Sequence, residues 1–165
     1  MTPIKFVALF AAALAGAALS AGAAVAQSAK DLVGTWQLVS NILDQGGTKI
    51  DQFGPNPHGV LVFGSDGRYV LSIVRDGLPK FAGNGRMTGT DAENKAIVQG
   101  SVSHFGSYAV DGGKIVFHVE HATFPNWDGG TQARPFKLSG DDMSFFVAAA
   151  SAGGGSSAVT WKRVK

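Results

Sequence analysis

The chain of 165 residues contains no cysteine. Disulfide bonds, a thiolate nucleophile and a zinc site with cysteine ligands are therefore excluded. An excess of one charge is also missing, because 14 Lys and Arg stand against 12 Asp and Glu for a formal net charge of +2, and no basic run occurs. This balance argues against a nucleic-acid-binding surface. Beyond residue 26, no apolar stretch reaches the roughly 18 residues of a membrane span.

The N-terminal segment has the layout of a secretory leader. Lys5 precedes an apolar run from Phe6 to Leu19, and Ala24-Val25-Ala26 follows as a small-x-small cleavage pattern. We therefore expect residues 1–26 to be a cleavable signal peptide, and the protein to be exported to the periplasm or secreted. Residues 27–165 then form one domain, which is long enough to bury a core of its own.

Short β-like runs separated by Gly, Asp and Asn follow the leader at regular spacing, as in all-β sandwiches and barrels. Turn signals such as Gly112-Gly113 favour hairpins between them. Eight strands suffice to close a small barrel. The sequence therefore predicts an all-β, eight-stranded antiparallel up-and-down barrel, with strands near residues 33–43, 59–63, 68–75, 105–110, 114–122, 132–138, 143–149 and 158–164.

One segment interrupts this rhythm between the third and fourth predicted strands. Thr90 followed by Glu93 is a capping-box pattern, in which each side chain bonds the backbone N–H of the other residue. The pattern predicts one short helix from Asp91 to about Val102. The loop before it, residues 76–89, contains four glycines and one proline and is a candidate lid at the barrel mouth.

Two short motifs, one on the first predicted strand and one on the last, are expected to be in contact. Gly34 and Trp36 lie on the first predicted strand, and Arg163 lies on the last. The first and last strands pair when a barrel closes. We therefore expect the Arg163 guanidinium to lie on the Trp36 ring at the barrel floor, where a cation–π contact adds to apolar burial.

Longer motifs extend over the whole domain: Leu32-Val33-Gly34-Thr35-Trp36-Gln37-Leu38-Val39-Ser40, Gly54-Pro55-Asn56-Pro57-His58-Gly59, Ser65-Asp66-Gly67-Arg68-Tyr69, His118-Val119-Glu120 and Phe124-Pro125-Asn126-Trp127. In their order and spacing, over about residues 30 to 164, they resemble the bacterial and fungal lipocalin-like domain family. The resemblance implies a small lipocalin-like barrel with an interior cavity. It implies no catalytic residues, because a fold does not fix a function.

The Gly112-Gly113 turn predicts the register of the hairpin around it. With a two-residue loop, Tyr108 lies opposite Phe117. Continued along the same strands, this register places His104 opposite His121.

The two faces of this hairpin compete for the barrel interior. Apolarity favours the face that carries Tyr108, His104 and His121. The resemblance instead singles out His118 and Glu120 on the other face, and a barrel that holds a ligand can have a polar lining. We therefore predict that His118 and Glu120 line the cavity, with the opposite face as the alternative.

Arg134 lies on the next predicted strand and shares a side with Phe136 and Leu138 by the period of two. That apolar side predicts burial of Arg134, and a buried guanidinium requires a carboxylate. Glu120 on the adjacent strand is one of only two glutamates in the chain. The expected pair is either part of a ligand site or a purely structural ion pair.

Aromatic side chains complete the predicted ligand site. Trp127 lies in a loop, where a large ring can cover the end of a barrel. Tyr69 and Tyr108 lie in predicted strands. The predicted ligand-binding residues are Tyr69, Tyr108, His118, Glu120, Trp127 and Arg134.

No metal ion and no cofactor are predicted. In His118-Val119-Glu120-His121 the last residue points away from the other two on a strand, and the helical spacing of a zinc protease is absent. A G-x-S-x-G motif and a Walker motif are absent as well.

The sequence therefore predicts an exported protein that binds a small hydrophobic or amphipathic molecule in the barrel cavity. The alternative is an isomerase or cyclase on a similar molecule. In that reaction His118 or Glu120 would act as general base, and Arg134 or Tyr69 would stabilise negative charge. We expect no nucleic-acid partner, and the sequence indicates no particular oligomeric state.

Overall fold

The computed structural model describes residues 27–165, and the predicted leader, residues 1–26, lies outside the described residues. The elements within the described part are, in chain order, α1 (Ala29–Leu32), β1 (Gly34–Gln45), β2 (Thr48–Asp51), β3 (His58–Phe63), β4 (Arg68–Val74), α2 (Asp91–Gly100), β5 (Ser101–Asp111), β6 (Lys114–Ala122), a 3-10 helix (Pro125–Trp127), β7 (Thr131–Ser139), β8 (Asp142–Val147) and β9 (Ser156–Arg163).

Eight of these strands close into an antiparallel barrel. Strands β3 to β9 pair in chain order, and β1 pairs with both β3 and β9. Each predicted strand corresponds to one barrel strand, which confirms the all-β, eight-stranded, closed architecture. The prediction succeeded because inward and outward residues alternate along most strands, a local signal.

The short strand β2 is absent from the sequence prediction. It pairs only with the far end of β1, from Ile42↔Asp51 to Gln45↔Thr48. All four of its residues are exposed, so it has no apolar alternation that would reveal it. Because β2 adds a strand, the helix α2 follows β4, and its predicted position between the third and fourth strands is corrected.

Helix α2 begins at Asp91, as the capping box predicts. The Glu93 backbone N–H donates to Thr90 Oγ1 at 3.3 Å, and the Thr90 backbone N–H donates to Glu93 Oε2 at 2.7 Å. The helix ends at Gly100, two residues before the predicted end. Glu93 Oε1 also accepts from the Ala82 backbone N–H at 2.6 Å, so the loop before α2 is bonded to the helix.

The hairpin of β5 and β6 keeps the predicted register only near its turn. Tyr108 lies opposite Phe117 as predicted, whereas His104 lies opposite Ala122 and not opposite His121. Between these two points the register shifts by one residue.

Gly106 lies at this bulge. A Cβ on Gly106 would overlap the carbonyl oxygen of His118 on the neighbouring strand. Glycine is therefore required for the close approach of the two backbones. Beyond the bulge, the residues of β6 have other partners than predicted, and His121 lies opposite Phe105.

The barrel is closed at the end where β1 begins. Arg163 Cζ lies 4.1 Å from the Trp36 ring centroid, which confirms the predicted contact. The Arg163 guanidinium donates to the carbonyl oxygens of Val33 and Asp31 at 2.7 Å each. The Trp36 indole N–H donates to the Leu32 carbonyl at 2.8 Å. Helix α1 thus covers the floor and is bonded to both side chains.

Gly34 permits this arrangement. Its φ of +133° lies in the region that favours glycine, and a Cβ there would stand 3.1 Å from Arg163 Nη1. A side chain at residue 34 would therefore crowd the Arg163 guanidinium and disturb its contact with the Trp36 ring.

The hydrophobic core lies inside the barrel, and its fully buried members include Leu61, Phe63, Ile115, Phe117, Met143 and Trp161. The end opposite the floor is bordered by β2, α2 and the 3-10 helix. In the part of the chain that the structure describes, no helix is long and apolar enough to cross a membrane.

Candidate functional site

A cavity of about 110 Å³ lies inside the barrel near the end that α1 does not cover. Its apolar wall includes the aromatic side chains of Phe53, Phe117, Trp127 and Phe145. Its polar wall includes Asn41, His104, Gln132, Arg134 and Ser157. Of the described residues, no Asp or Glu lines this cavity.

His104 on β5 is 6% exposed, and its Nδ1 lies 2.8 Å from the hydroxyl of Tyr69. Burial lowers the pKa of His104 to about 4, and the charge of Arg134 acts in the same direction. Burial also raises the pKa of Tyr69, so the phenol keeps its proton. We assign the phenol as donor to Nδ1. The neutral imidazole then carries its proton on Nε2, the ring nitrogen left for a ligand.

Arg134 on β7 lies opposite Ile115, which is fully buried, so its side chain points inward. Arg134 Nη2 donates to Gln132 Oε1 at 2.8 Å. Within residues 27–165, no carboxylate forms an ion pair with this guanidinium. Burial lowers the pKa of Arg134, but a guanidinium stays charged in proteins. The cavity therefore holds a permanent positive charge, and none of the described residues places an opposite charge beside it.

Two buried polar side chains join the strands that close the barrel. Ser157 Oγ on β9 donates to Asn41 Oδ1 on β1. The exposed fractions of Asn41 and Ser157 are 8% and 3%. Because Asn41 Oδ1 accepts from Ser157, the amide NH₂ of Asn41 is left for a ligand. The amide NH₂ of Gln132 is also left for a ligand, because Gln132 Oε1 accepts from Arg134.

His118 and Glu120 lie on the outside of the barrel, so the prediction that they face the cavity is wrong. Glu120 forms an ion pair with Arg68, and His118 Nδ1 lies 3.1 Å from Thr131 Oγ1. The predicted contact between Glu120 and Arg134 is wrong for the same reason.

The alternation of β6 explains this outcome. Ile115, Phe117 and Val119 are buried and fill the interior, so the residues between them must point outward. His121, beyond the bulge, is also exposed, and its Nδ1 lies 3.1 Å from Asp128 Oδ2. Across residues 27–165, no three His, Asp or Glu side chains are grouped so that they could hold a metal ion.

The other predicted site residues are distributed along the barrel. Trp127 and Arg134 line the cavity, and Tyr69 reaches it through His104. Tyr108 lies nearer the floor, where its hydroxyl donates to the Gly64 carbonyl at 3.0 Å. Their ligand-binding roles stay predictions.

The sequence model of the lipocalin-like domain matches residues 33–164, which is most of the chain. This chain belongs to the lipocalin-like domain family. The match starts one residue before Gly34 and ends one residue after Arg163, so it includes every barrel strand and both halves of the floor contact.

This lipocalin-like domain is also similar to the 4'-hydroxy-3'-methoxypropiophenone carrier protein ppsC of Aspergillus oryzae. The two sequences are 27% identical over 77 residues. The aligned part covers 42% of this chain and 69% of the relative.

Several cavity residues of the lipocalin-like domain were not among the predicted ligand-binding residues. The sequence did indicate that His104 could face the interior, because alternation places it on the apolar face with Tyr108. The indication for Gln132 is weaker and is only that it lies two residues before Arg134, on the same side of β7. Asn41 and Ser157 meet only through barrel closure, and no local pattern connects them.

Proposed function

We propose that this protein is a carrier that binds a small molecule inside the barrel, with an apolar body among the aromatic side chains and a polar head at Arg134. The observation that supports this most is a partly buried guanidinium that lines a cavity and forms no ion pair within residues 27–165. Partial removal of an unpaired charge from water is costly, and a ligand that accepts hydrogen bonds from Arg134 would offset that cost. Apolar walls with a few convergent polar groups are typical of small-molecule sites.

The size of the cavity favours a compact ligand. Its volume of about 110 Å³ is comparable with an apolar cavity of about 150 Å³ that takes benzene in another protein. Phe117 and Trp127 present nearly perpendicular rings to His104, at centroid distances of 6.1 and 5.5 Å. The ligand that the relative carries, by its name, is a single-ring aryl ketone. We therefore propose a single-ring aromatic ligand here.

An outer groove of about 710 Å³ leads to the cavity and shares Gln52, Phe53, Val102 and Ser151 with its lining. The groove continues along α2 and the exposed ring of Phe124. This continuity supports entry of the ligand from the end opposite the floor. A longer amphipathic ligand would keep its tail in the groove.

The enzymatic alternative requires a different base, because His118 and Glu120 lie outside the barrel. The group that lines the cavity is His104, whose pKa of about 4 makes it a weak base at neutral pH. Reversible binding is therefore the better-supported function of the cavity.

Export is a separate proposal, which rests on the sequence of residues 1–26 alone. The charged start, the short apolar run and the Ala24-Val25-Ala26 pattern support a leader that is removed after Ala26. The carrier would then act in the periplasm or outside the cell.

Native mass spectrometry of the protein purified from its own host tests the carrier function. We expect a small adduct that is released on denaturation and is lost in Arg134→Met. Arg68→Met is the matched control, because this arginine lies on the outside, and it should retain the adduct. A wild-type protein that carries no adduct and binds no single-ring aryl ketone would refute the proposal.

A further inference from the structure

We infer that the cavity selects a single-ring aromatic anion, whose oxyanion is held by Arg134, over an uncharged molecule of the same shape. This inference rests on the proposed carrier function and adds the charge of the ligand. The head group in question is an oxyanion attached to an aromatic ring, either a carboxylate or a phenolate.

The hydrogen-bonding groups of the cavity are the first argument. Gln132 Oε1 accepts from Arg134, Asn41 Oδ1 accepts from Ser157, and His104 Nδ1 accepts from a buried phenol. Each of these three acceptor atoms therefore already accepts a hydrogen bond within the protein. Around Arg134, what remains at these side chains is the guanidinium N–H groups, two amide NH₂ groups and the imidazole Nε2–H, all of which donate. The other polar lining side chains, Gln52, Ser151 and Ser157, can both donate and accept. A head group that only accepts hydrogen bonds matches the donors around Arg134, and an O–H or N–H directed at those groups would place donor against donor.

The charge of the cavity is the second argument. The titratable side chains in or next to it are Arg134, His104 and Tyr69, and the last two are uncharged at neutral pH. With no Asp or Glu of residues 27–165 in the lining, the site carries one positive charge. A monoanion would neutralise it, and hydrogen bonds to a charged acceptor are stronger than those to a neutral one.

A second arginine of the same barrel shows the contrast. Arg68 lies on the outside with about half of its side chain exposed, and it is already paired with Glu120. Arg134 is the more buried of the two and has no such partner among the described residues. The unbalanced charge is thus inside the cavity, where solvent screening is weakest.

Calorimetric titration with benzoate and benzamide tests the inference, because the two probes have nearly the same shape and differ in charge. We expect benzoate to bind wild type about tenfold more tightly or better. Arg134→Met should lose that preference, and Arg134→Lys, which keeps the charge, should retain part of it. Arg68→Met should behave like wild type. Circular dichroism of each variant verifies folding.

A spectroscopic probe distinguishes the two sources of the oxyanion. A bound positive charge stabilises a phenolate, so 4-hydroxyacetophenone should ionise at lower pH in the complex than in water, with the red-shifted phenolate absorption as the readout. A shift of one pH unit corresponds to tenfold tighter binding of the phenolate than of the phenol. The shift should be absent in Arg134→Met. A phenolate shift without benzoate binding identifies the phenolate as the head group, and benzoate binding without the shift identifies the carboxylate.

The failures of the two proposals are separable. Acetophenone serves as a fourth, uncharged probe. If benzamide and acetophenone bind as tightly as benzoate, and Arg134→Met changes nothing, the selectivity for an anion is refuted while the carrier function stands. If none of the four probes binds wild type, both are refuted.

Discussion

The buried histidine of the cavity should make the folded protein sensitive to mild acid. His104 is 6% exposed, and its pKa in the folded state is about 4, below the ordinary 6.5. Between these two pH values the unfolded chain binds a proton at this residue and the folded chain does not. Falling pH therefore favours unfolding, and the contribution of His104 is fully present above about pH 6.5 and lost as the pH falls through about 4.

The size of this effect follows from the shift. When one proton binds only to the unfolded chain, the free energy of unfolding falls by about 1.4 kcal/mol for each pH unit of acidification. Between pH 6.5 and about 4 the free energy of unfolding therefore falls by about 3 kcal/mol. That is a large share of the roughly 5 to 15 kcal/mol of a typical domain. Carboxylates with lowered pKa values, such as Glu93 and Asp141, lose their contribution mainly below their ordinary values of 4.5 and 3.8, which lie at or beyond the lower end of this window.

Urea unfolding of wild type, His104→Gln and His118→Gln at several pH values between 7.5 and 4 measures the effect. Wild type and His118→Gln, whose histidine is exposed, should lose stability in parallel. His104→Gln should start less stable and fall less steeply. Parallel curves for wild type and His104→Gln, or an NMR titration that gives His104 a pKa near 6.5, would refute the reasoning.

Three further predictions concern the floor, the bulge and the leader. Trp36→Ala should lower the free energy of unfolding by about 3 to 5 kcal/mol in urea titrations, and a loss below about 1 kcal/mol would contradict the floor contact. Gly106→Ala should lower it by about 1 to 3 kcal/mol because its Cβ overlaps the next strand, whereas Gly83→Ala, which has open space, should change little; equal effects would contradict the bulge. Intact mass of exported protein should show a chain that begins at Gln27, and a product that retains Ala26 and the segment before it would contradict cleavage.

The barrel itself was predictable because its signals are local. Alternation along each strand and the glycine turns between strands give the number and position of the barrel strands. The contact of Trp36 with Arg163 is long-range, yet it follows once the first and last strands are required to pair. The strand β2 carries no such signal, because its four residues are exposed.

The site was less predictable, because it depends on orientation. Strands β6 and β7 are adjacent as expected, but their pairing runs only from Lys114 to His118 on β6, and Glu120 lies beyond it and points outward. The apolar alternation of β6 determines which of its side chains face the core, and it excludes the polar lining by His118 and Glu120 that the resemblance favoured. The single-residue shift at Gly106 depends on a close backbone contact that no sequence pattern reports.

Carriage of a ligand in the cavity is tested most directly by the indole N–H signals of the three tryptophans in ¹H–¹⁵N NMR spectra. Trp127 lines the cavity, whereas Trp36 and Trp161 are fully buried and do not. On addition of benzoate or acetophenone, the Trp127 signal should shift progressively and saturate, and the Trp36 signal should stay nearly unchanged. An unshifted Trp127 signal at millimolar ligand, or shifts concentrated on outward residues around His118, would contradict binding inside the barrel.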